Sequence, residues 1–275
     1  MKTLREKFLE DGFLVFENFN TPDECEAVMR RGKELAEEFD YKGNASIFQT
    51  SEQTKTTDDY FLASGENISF FFEKDAFQAD GELKTDIFHS LNKIGHALHD
   101  LDPVYNHFTR SPQMKQLAGE LGLQDYLIIQ SMHILKHARI GGVVDIHQDA
   151  TFLYTEPESC IGFWYALEDA TIENGCLWAK PGGHRTSLRS RFQRKSGGGT
   201  EFITMSEDPF IAEDMIPLEV KKGTCIVIDG MLPHYSLPNT SGKSRQAYAI
   251  HTIDKHKHYP KTNWLQRDLS SLSGF

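Results

Sequence analysis

The segment Asp145-Ile146-His147-Gln148-Asp149-Ala150 places a histidine and an aspartate two residues apart. In extended backbone, the side chains of residues i and i+2 point to the same face, so His147 and Asp149 can reach one point in space. His234 follows 85 residues after Asp149, and Arg245 follows eleven residues after His234. Two histidines and one carboxylate form the facial triad of non-haem Fe(II) oxygenases, which leaves coordination positions open. The pattern therefore predicts a metal site of His147, Asp149 and His234.

Arg245 suits the far carboxylate of a 2-oxoglutarate cosubstrate, because a planar guanidinium makes paired hydrogen bonds to a carboxylate. Ala247 and Ala249 share its face of the expected strand and leave room for that molecule. We therefore predict a dioxygenase that uses O2 to convert 2-oxoglutarate to succinate and to hydroxylate an unidentified small molecule. Ascorbate is expected to support its activity. Gly or Ala at position 149 would instead leave a place for halide, so the carboxylate of Asp149 favours hydroxylation.

Two other functions are compatible with parts of this pattern. A non-catalytic, cupin-like protein could keep the same residues to bind or sense a metal and 2-oxoglutarate. A zinc hydrolase could use the same three ligands, but no general base is evident and Arg245 would have no role. The simplest explanation of each residue alone is structural, with His147 in a turn beside a capping Asp149 and His234 at a strand end.

The composition narrows the class of protein. A length of 275 residues fits one large domain. The net charge of −11 argues against nucleic-acid binding, which needs a basic face. Four scattered cysteines, no apolar N-terminal run and no stretch of membrane-spanning length indicate a cytoplasmic protein without a membrane partner. We expect a monomer.

The pattern of the chain predicts helices first and a β-core second. Helices are expected at residues 3–11, 21–39, 86–99 and 112–122, and early strands at 13–16, 60–62 and 68–72, with a polar loop over 42–59. From residue 125, short apolar runs separated by turn residues are typical of a barrel or sandwich. These runs cover residues 126–133, 161–167, 176–179, 202–205, 225–228 and 247–253. We thus predict a single domain, with a mainly helical flank (1–124), a β-core (125–255) and a tail (256–275).

Two polar segments have more than one interpretation. In the predicted helix over 86–99, Ile87, Leu91, Ile94 and Leu98 form one apolar stripe, and Lys93 lies beside it. His89, His96 and His99 of that helix are expected to be solvated or capping residues, since no other ligand completes a metal set. Residues 185–195 carry five positive charges and precede three glycines. They are predicted to form a solvated, flexible loop; the alternative is a mobile lid that contacts an anionic substrate.

Several longer strings resemble the phytanoyl-CoA dioxygenase family, and in particular its cytosolic domain-containing members. They are Asn92-Lys93-Ile94-Gly95-His96-Ala97-Leu98-His99, Gln130-Ser131-Met132, His147-Gln148-Asp149-Ala150, Phe152-Leu153-Tyr154-Thr155-Glu156-Pro157, Glu168-Asp169-Ala170-Thr171, Glu173-Asn174-Gly175-Cys176-Leu177-Trp178 and Ser244-Arg245-Gln246-Ala247-Tyr248. The likeness covers almost the whole chain. One departure is Pro181-Gly182-Gly183-His184, where members of the family commonly have P-G-S-H.

This resemblance implies a mostly β fold with flanking helices. Its core would be a double-stranded β-helix of the jelly-roll, cupin-like type, with the N-terminal helices packed outside. It also implies Fe(II) on His147, Asp149 and His234. Contacts to 2-oxoglutarate are implied for Lys93, Met132, Trp164, Ser236 and Arg245. Substrate preference does not carry over, since the basic segment after His184 has its own character.

Overall fold

The computed structural model describes residues 2–42, 46–47 and 59–275. The described α-helices are α1 (Leu4–Asp11), α2 (Pro22–Glu38), α3 (Asp59–Ala63), α4 (Ile87–Ser90), α5 (Leu98–Leu101), α6 (Pro103–Thr109) and α7 (Pro112–Leu121). The first strands are β1 (Phe13–Phe16), β2 (Ser46–Ile47), β3 (Ile68–Phe72), β4 (Leu91–His96), β5 (Tyr126–Lys136), β6 (Val144–His147) and β7 (Ile161–Ala166). They are followed by β8 (Leu177–Ala179), β9 (Ser190–Arg194), β10 (Thr200–Thr204), β11 (Ile216–Leu218), β12 (Cys225–Asp229), β13 (His234–Ser236) and β14 (Arg245–Asp254).

Two sheets form the core. The larger has the order β1-β12-β7-β14-β5-β4-β3-β2, and the smaller has the order β11-β8-β13-β6. Side chains from both sheets line one cavity between them. The predicted fold class, a mostly β protein with a jelly-roll core, is confirmed.

The helices cover the outer face of the large sheet. Tyr248 and Ile250 of β14 join the apolar cluster that holds Val28 of α2 and Met114 of α7. Arg245, Ala249 and His251 lie at alternate positions and line the cavity. This alternation follows from the two-residue period of a strand, and it assigns the cavity face of β14 to its odd-numbered residues.

Helix α2 begins where the sequence predicts. Thr21 and Glu24 form a capping box, and Pro22 occupies the first turn, where its missing N–H costs no hydrogen bond. Helices α1 and α7 also lie within the predicted ranges, each ending at a glycine with positive φ (79° at both Gly12 and Gly122).

The prediction of one helix over residues 86–99 is wrong. Helix α4 ends at Ser90, and strand β4 pairs with β3 and β5. Apolar residues at helical spacing also fit a strand that is buried on both faces, as β4 is from residue 93 onwards. Gly95 permits the close pairing, because a Cβ there would lie 3.0 Å from the Ser131 carbonyl oxygen.

The expectation for the nearby histidines holds for one of three. His89 is exposed and pairs with Asp86. His96 and His99 are instead fully buried, and their Nδ1 atoms lie 2.8 Å from the hydroxyls of Ser64 and Ser131, respectively. Strand β4 carries the His96 ring into the core and the short helix α5 carries the His99 ring there, which one continuous surface helix would not do.

Two shorter predictions are also wrong. Residues 60–62 belong to helix α3 rather than to a strand. In the predicted loop over 42–59, Ser46–Ile47 pair with β3 and Asp59 begins α3, while residues 43–45 and 48–58 lie outside the described part.

The basic segment is not a loop throughout. Ser190–Arg194 form β9, which pairs with β10. Phe192 is almost fully buried, and its neighbours in β9 are more exposed, as in a strand with one face buried. The many charged residues of this segment hide the strand pattern in the sequence. The glycines fall in the connection, where Gly198 and Gly199 have positive φ.

The chain divisions expected from the sequence stay a prediction. Residues 1–124 supply β1–β4 to the large sheet in addition to their helices. The tail beyond residue 255 buries Trp264 and Leu265 against the core, and Arg267 pairs with Asp100. No helix in the described part of the chain is both long and apolar enough to span a membrane.

Candidate metal centre

The structure brings His147, Asp149 and His234 together. His147 ends β6, His234 begins β13, and the two are direct partners across the small sheet. Asp149 begins a short 3-10 turn directly after the extended Gln148. One potential ligand atom from each residue lies within 4.8 Å of the others. Strand pairing thus closes the 85-residue gap in the sequence.

The ring orientation of both histidines suits a metal. His147 Nδ1 lies 2.8 Å from the Asp145 carbonyl oxygen, and His234 Nδ1 lies 3.0 Å from that of Leu232. A carbonyl only accepts hydrogen bonds, so each Nδ1 carries the proton. Each Nε2 then presents its lone pair, at 3.5 Å (His147) and 3.8 Å (His234) from Asp149 Oδ1. This donor set of two neutral imidazoles and one carboxylate fits Fe(II).

The local electrostatics favour the required protonation states at Asp149 and His234. Burial alone would raise the pKa of Asp149, but the surrounding histidines hold it well below its usual range. Burial lowers the pKa of His234 to about 4. Burial also acts to lower the pKa of His147, but the nearby Asp149 carboxylate outweighs this effect, so the pKa of His147 is raised. The carboxylate is therefore ionised and His234 neutral at neutral pH.

A third histidine contacts the same aspartate. His251 of β14 is 6% exposed, and its Nε2 lies 3.3 Å from Asp149 Oδ2. The two carboxylate oxygens thus have separate partners, with Oδ1 facing His147 and His234. Gly162 makes room for this contact, because a Cβ there would lie 3.1 Å from Oδ2 and 3.4 Å from the His251 ring.

The residue between the two ligands of the H-x-D pair is a buried connector. The Gln148 amide nitrogen donates to the carbonyl oxygens of Met231 and Ser187, at 2.8 and 3.3 Å. Its amide oxygen accepts a hydrogen bond from the backbone N–H of Arg189 at 2.9 Å. Gln148 therefore ties His147 and Asp149 to the segment before His234 and to the start of the β9–β10 hairpin.

Arg245 lies in the same cavity as the metal group. It is 1% exposed, yet no group in the described chain hydrogen-bonds its Nε or Nη1. Its guanidinium stands 5.5 Å from the centre of the Trp164 ring. Burial lowers its pKa to about 10, so it stays charged at neutral pH. A buried cation with unsatisfied N–H groups fits an anionic ligand, since such groups are costly when left unpaired.

The other predicted cosubstrate contacts line this cavity too: Lys93, Met132, Trp164 and Ser236. Lys93 is a buried residue of strand β4, whereas the apolar pattern of residues 86–99 places it beside the apolar stripe of a helix. Its Nζ lies 3.8 Å from Met132 Sδ, and burial lowers its pKa to about 7. Lys93, Met132, Trp164 and Arg245 come from the large sheet and Ser236 from the small one, so only the assembled core brings them together.

The arginines of the hairpin region contact protein groups. Arg191 lies 3.8 Å from the centre of the Tyr154 ring, on the face of β9 opposite Phe192. Arg194 donates to the carbonyl oxygens of Trp264 and Leu62. Arg185 donates to backbone carbonyls at the end of α1. These contacts give each arginine a structural role, and the lid over an anionic substrate stays a prediction.

Known proteins resemble this chain over most of its length. The family model described as phytanoyl-CoA dioxygenase (PhyH) matches residues 8–247. The chain belongs to the phytanoyl-CoA dioxygenase family. A phytanoyl-CoA dioxygenase of Arabidopsis thaliana is 46% identical over 94% of this chain and 91% of its own length. The phytanoyl-CoA dioxygenase domain-containing protein 1 of Mus musculus is 45% identical over 94% of this chain and 92% of its own.

A solved structure with little sequence identity supports the fold. The epimerase SnoN, in complex with Fe3+, alpha ketoglutarate and nogalamycin RO, superposes with a TM-score of 0.65 at 13% identity, covering 98% of this chain and 90% of that one. Membership of the phytanoyl-CoA dioxygenase family confirms the predicted class of enzyme, an oxidoreductase.

Two residues of the site in this phytanoyl-CoA dioxygenase family member, His251 and Gln148, are not predictable from the sequence pattern. His251 is a single histidine in an apolar strand, 102 residues after Asp149, and no local spacing connects the two. Gln148 lies between the two residues of the H-x-D pair. In an extended segment its side chain points away from both ligands, so its polar character only weakly indicates a buried hydrogen-bonding role.

Proposed function

We propose that this chain is an Fe(II)- and 2-oxoglutarate-dependent dioxygenase that hydroxylates a small organic molecule. In the proposed reaction, O2 contributes one oxygen atom to the hydroxyl group of the product and one to succinate, and 2-oxoglutarate loses CO2. The observation that carries this proposal is a shared cavity. His147, Asp149 and His234 face it with oriented donor atoms, and Arg245 faces it with unpaired N–H groups.

The three proposed metal ligands hold one side of the ion and leave the other side open. His147 and His234 donate through Nε2 because their Nδ1 atoms are held by backbone carbonyls. Asp149 supplies the anionic ligand through Oδ1. When bound, the iron supplies the redox chemistry of dioxygen activation. Asp149 also occupies the place where a halide could otherwise bind, which favours hydroxylation.

The cosubstrate is held by charge and shape. In the proposed mode, Arg245 pairs with the far carboxylate of 2-oxoglutarate, and Ser236 adds a hydroxyl contact. Lys93, Met132 and Trp164 form the surrounding wall. Ala249, between Arg245 and His251 on the same face, keeps the path between the arginine and the metal group open. The cavity volume of about 250 Å³ lies just below the typical range of ligand pockets, about 300–1,000 Å³, which favours a small substrate.

The test is succinate formation from 2-oxoglutarate with Fe(II) and ascorbate in the absence of added substrate. We expect slow turnover by the native protein, loss of turnover in Asp149→Ala, and unchanged turnover in Asp214→Ala, which removes an exposed carboxylate paired with Lys180. Metal-dependent 2-oxoglutarate binding without turnover, even with a broad substrate panel, would favour the non-catalytic binding protein. Absence of 2-oxoglutarate binding would contradict the proposal.

A further inference from the structure

The cavity has two ends, which strand β14 defines. Arg245 and His251 lie on its cavity face, six residues apart, which corresponds to about 20 Å of strand. His251 contacts Asp149, so the metal group lies towards the His251 end. In the proposed function, 2-oxoglutarate occupies the stretch between Arg245 and the metal group. The part of the cavity beyond His251 is then left for the substrate.

Aromatic rings form the wall of this second part. Phe152 lies 6.0 Å from the His147 ring and 6.2 Å from Phe202, measured between ring centres. Trp264 stacks on Phe61 at 4.4 Å. All four of these aromatic side chains line the cavity, and Leu153 adds to the same surface. A wall of this kind gains most from contact with a flat, apolar group.

Gln130 is the buried polar group at this end. It pairs directly with His251 across β5 and β14, is 5% exposed and lines the cavity. No group in the described chain hydrogen-bonds its side-chain amide, and the amide is not sealed off from the cavity. Thr151 and Ser190 also line this region with hydroxyls. All three side chains are neutral.

Among the described residues, Lys93 and Arg245 are the lysine and arginine that line the cavity, and the arginines near the second part contact protein groups. Arg189 donates to the Ser187 carbonyl oxygen and the Thr186 hydroxyl, and its guanidinium lies 5.4 Å from the centre of the Phe210 ring. Arg194 is held by two carbonyl oxygens, and Arg191 stacks on Tyr154 on the opposite face of β9. Lys93 contacts Met132, which pairs with Ala249 on the Arg245 side of His251. A substrate anion beyond His251 would therefore lose its hydration without gaining a cationic partner, which is unfavourable.

We propose that the substrate is a neutral, mainly apolar molecule with a flat or ring-bearing part, held by the aromatic wall. One hydrogen-bonding group, a carbonyl, hydroxyl or amide, is oriented by Gln130. This inference rests on the proposed function for its division of the cavity. It assigns Gln130 as a specificity-determining residue, since a buried amide without its partner discriminates against ligands that cannot pair with it.

The test uses four probes that share a phenyl ring and a four-carbon chain: 4-phenylbutanamide, 4-phenylbutan-1-ol, 4-phenylbutanoate and butylbenzene. Binding is measured by calorimetry on the full chain loaded with 2-oxoglutarate and Mn(II), which does not turn over. We expect the amide and the alcohol to bind about tenfold more tightly than the carboxylate. Gln130→Leu should reduce the advantage of the amide over butylbenzene by about five- to tenfold, the range for one hydrogen bond, and leave butylbenzene binding unchanged.

Gln193→Leu is the matched control, because Gln193 bonds to Glu201 and does not line the cavity. Tightest binding of the carboxylate, failure of all four probes to bind, or an amide advantage that survives Gln130→Leu would overturn the inference. The same titrations without probe report 2-oxoglutarate binding, and its failure counts against the proposed function alone. Repeating the probe series without metal and 2-oxoglutarate tests the aromatic wall and Gln130 separately.

Discussion

His251 and Asp149, which lie 102 residues apart in the sequence, are in contact through His251 Nε2 and Asp149 Oδ2 at 3.3 Å. The other oxygen of Asp149 faces His147 and His234. The contact at Oδ2 restricts rotation of the carboxylate and keeps Oδ1 directed towards the proposed metal position. His251 is therefore a positioning residue for Asp149.

Replacement of His251 should weaken metal binding without unfolding the protein. We expect His251→Ala to lower Mn(II) affinity by about 10- to 100-fold, the usual effect of losing a hydrogen bond to a metal ligand. His251→Gln should recover part of the loss, because an amide can still donate. His256→Ala, at an exposed site, is the control. Equal affinity of the Ala variant and the native protein, by titration calorimetry, would contradict the positioning role.

Arg245 should act on 2-oxoglutarate and leave the metal alone. We expect Arg245→Ala to weaken 2-oxoglutarate binding by about 10- to 100-fold, the range for charge-assisted hydrogen bonds. Mn(II) affinity measured without 2-oxoglutarate should stay within about twofold. Arg245→Lys should be intermediate, since lysine keeps the charge but lacks the planar pair of donors. Parallel loss of both affinities would mean that Arg245 supports the fold of the site as a whole.

Gly162 and Gly119 form a contrasting pair. A Cβ at Gly162 would crowd Asp149 and His251, so Gly162→Ala should lower Mn(II) affinity by about tenfold. Gly119 lies within α7, where a Cβ would have nothing within 4 Å. Gly119→Ala should therefore stabilise the protein by about 0.5–1 kcal/mol and leave metal affinity unchanged. Urea unfolding and calorimetry check the two effects, and unchanged metal affinity in Gly162→Ala would argue against the tight fit.

Lys136 predicts a pH dependence of stability. It is 2% exposed, donates to the carbonyl oxygens of Gly142 and Leu237, and burial lowers its pKa from 10.5 to about 7. Between about pH 7 and pH 10 the unfolded chain holds this proton and the folded chain does not, so stability rises with pH in that window. In Lys136→Met, the slope of the free energy of unfolding against pH should be smaller by up to about 1.4 kcal/mol per pH unit.

The measurement for Lys136 is urea unfolding at several pH values between 7 and about 10. Lys255→Met is the control, because Lys255 is exposed and paired with Asp125. An unchanged slope in Lys136→Met would show that Lys136 keeps its proton in the folded state.

The sequence predicts the proposed metal site better than its surroundings. His147 and Asp149 share one short segment, and the distance to His234 and Arg245 is a recognisable pattern. Strand β4 is harder to predict, because apolar residues at helical spacing also suit a strand buried on both faces. Because of that error, the apolar pattern alone gives no reason to place Lys93 in the cavity, and only the family resemblance implies its contact with 2-oxoglutarate.

His251 and Gln130 lie beyond sequence prediction for a different reason. They are neighbours only through the pairing of β5 with β14, and they lie beside the metal group because the two sheets enclose one cavity. Each is one of several polar residues in a largely buried strand, and such residues are more often hydrogen-bonded within the core than functional. The role of each residue depends on the residue that it faces across the sheet, and the register between strands that are distant in sequence determines which residue that is.

The pairing of β14 on both sides has a consequence for the choice among 2-oxo acids. Strand backbone hardly compresses, so the distance from Arg245 to the metal group acts as a fixed gauge of cosubstrate length. In the proposed function, we expect oxaloacetate, which is one carbon shorter, and 2-oxoadipate, which is one carbon longer, to bind less tightly than 2-oxoglutarate. Neither molecule differs from 2-oxoglutarate in charge. The hydrogen-bonded register of β14, which fixes the backbone position of Arg245, would contribute to this selection together with the Arg245 side chain.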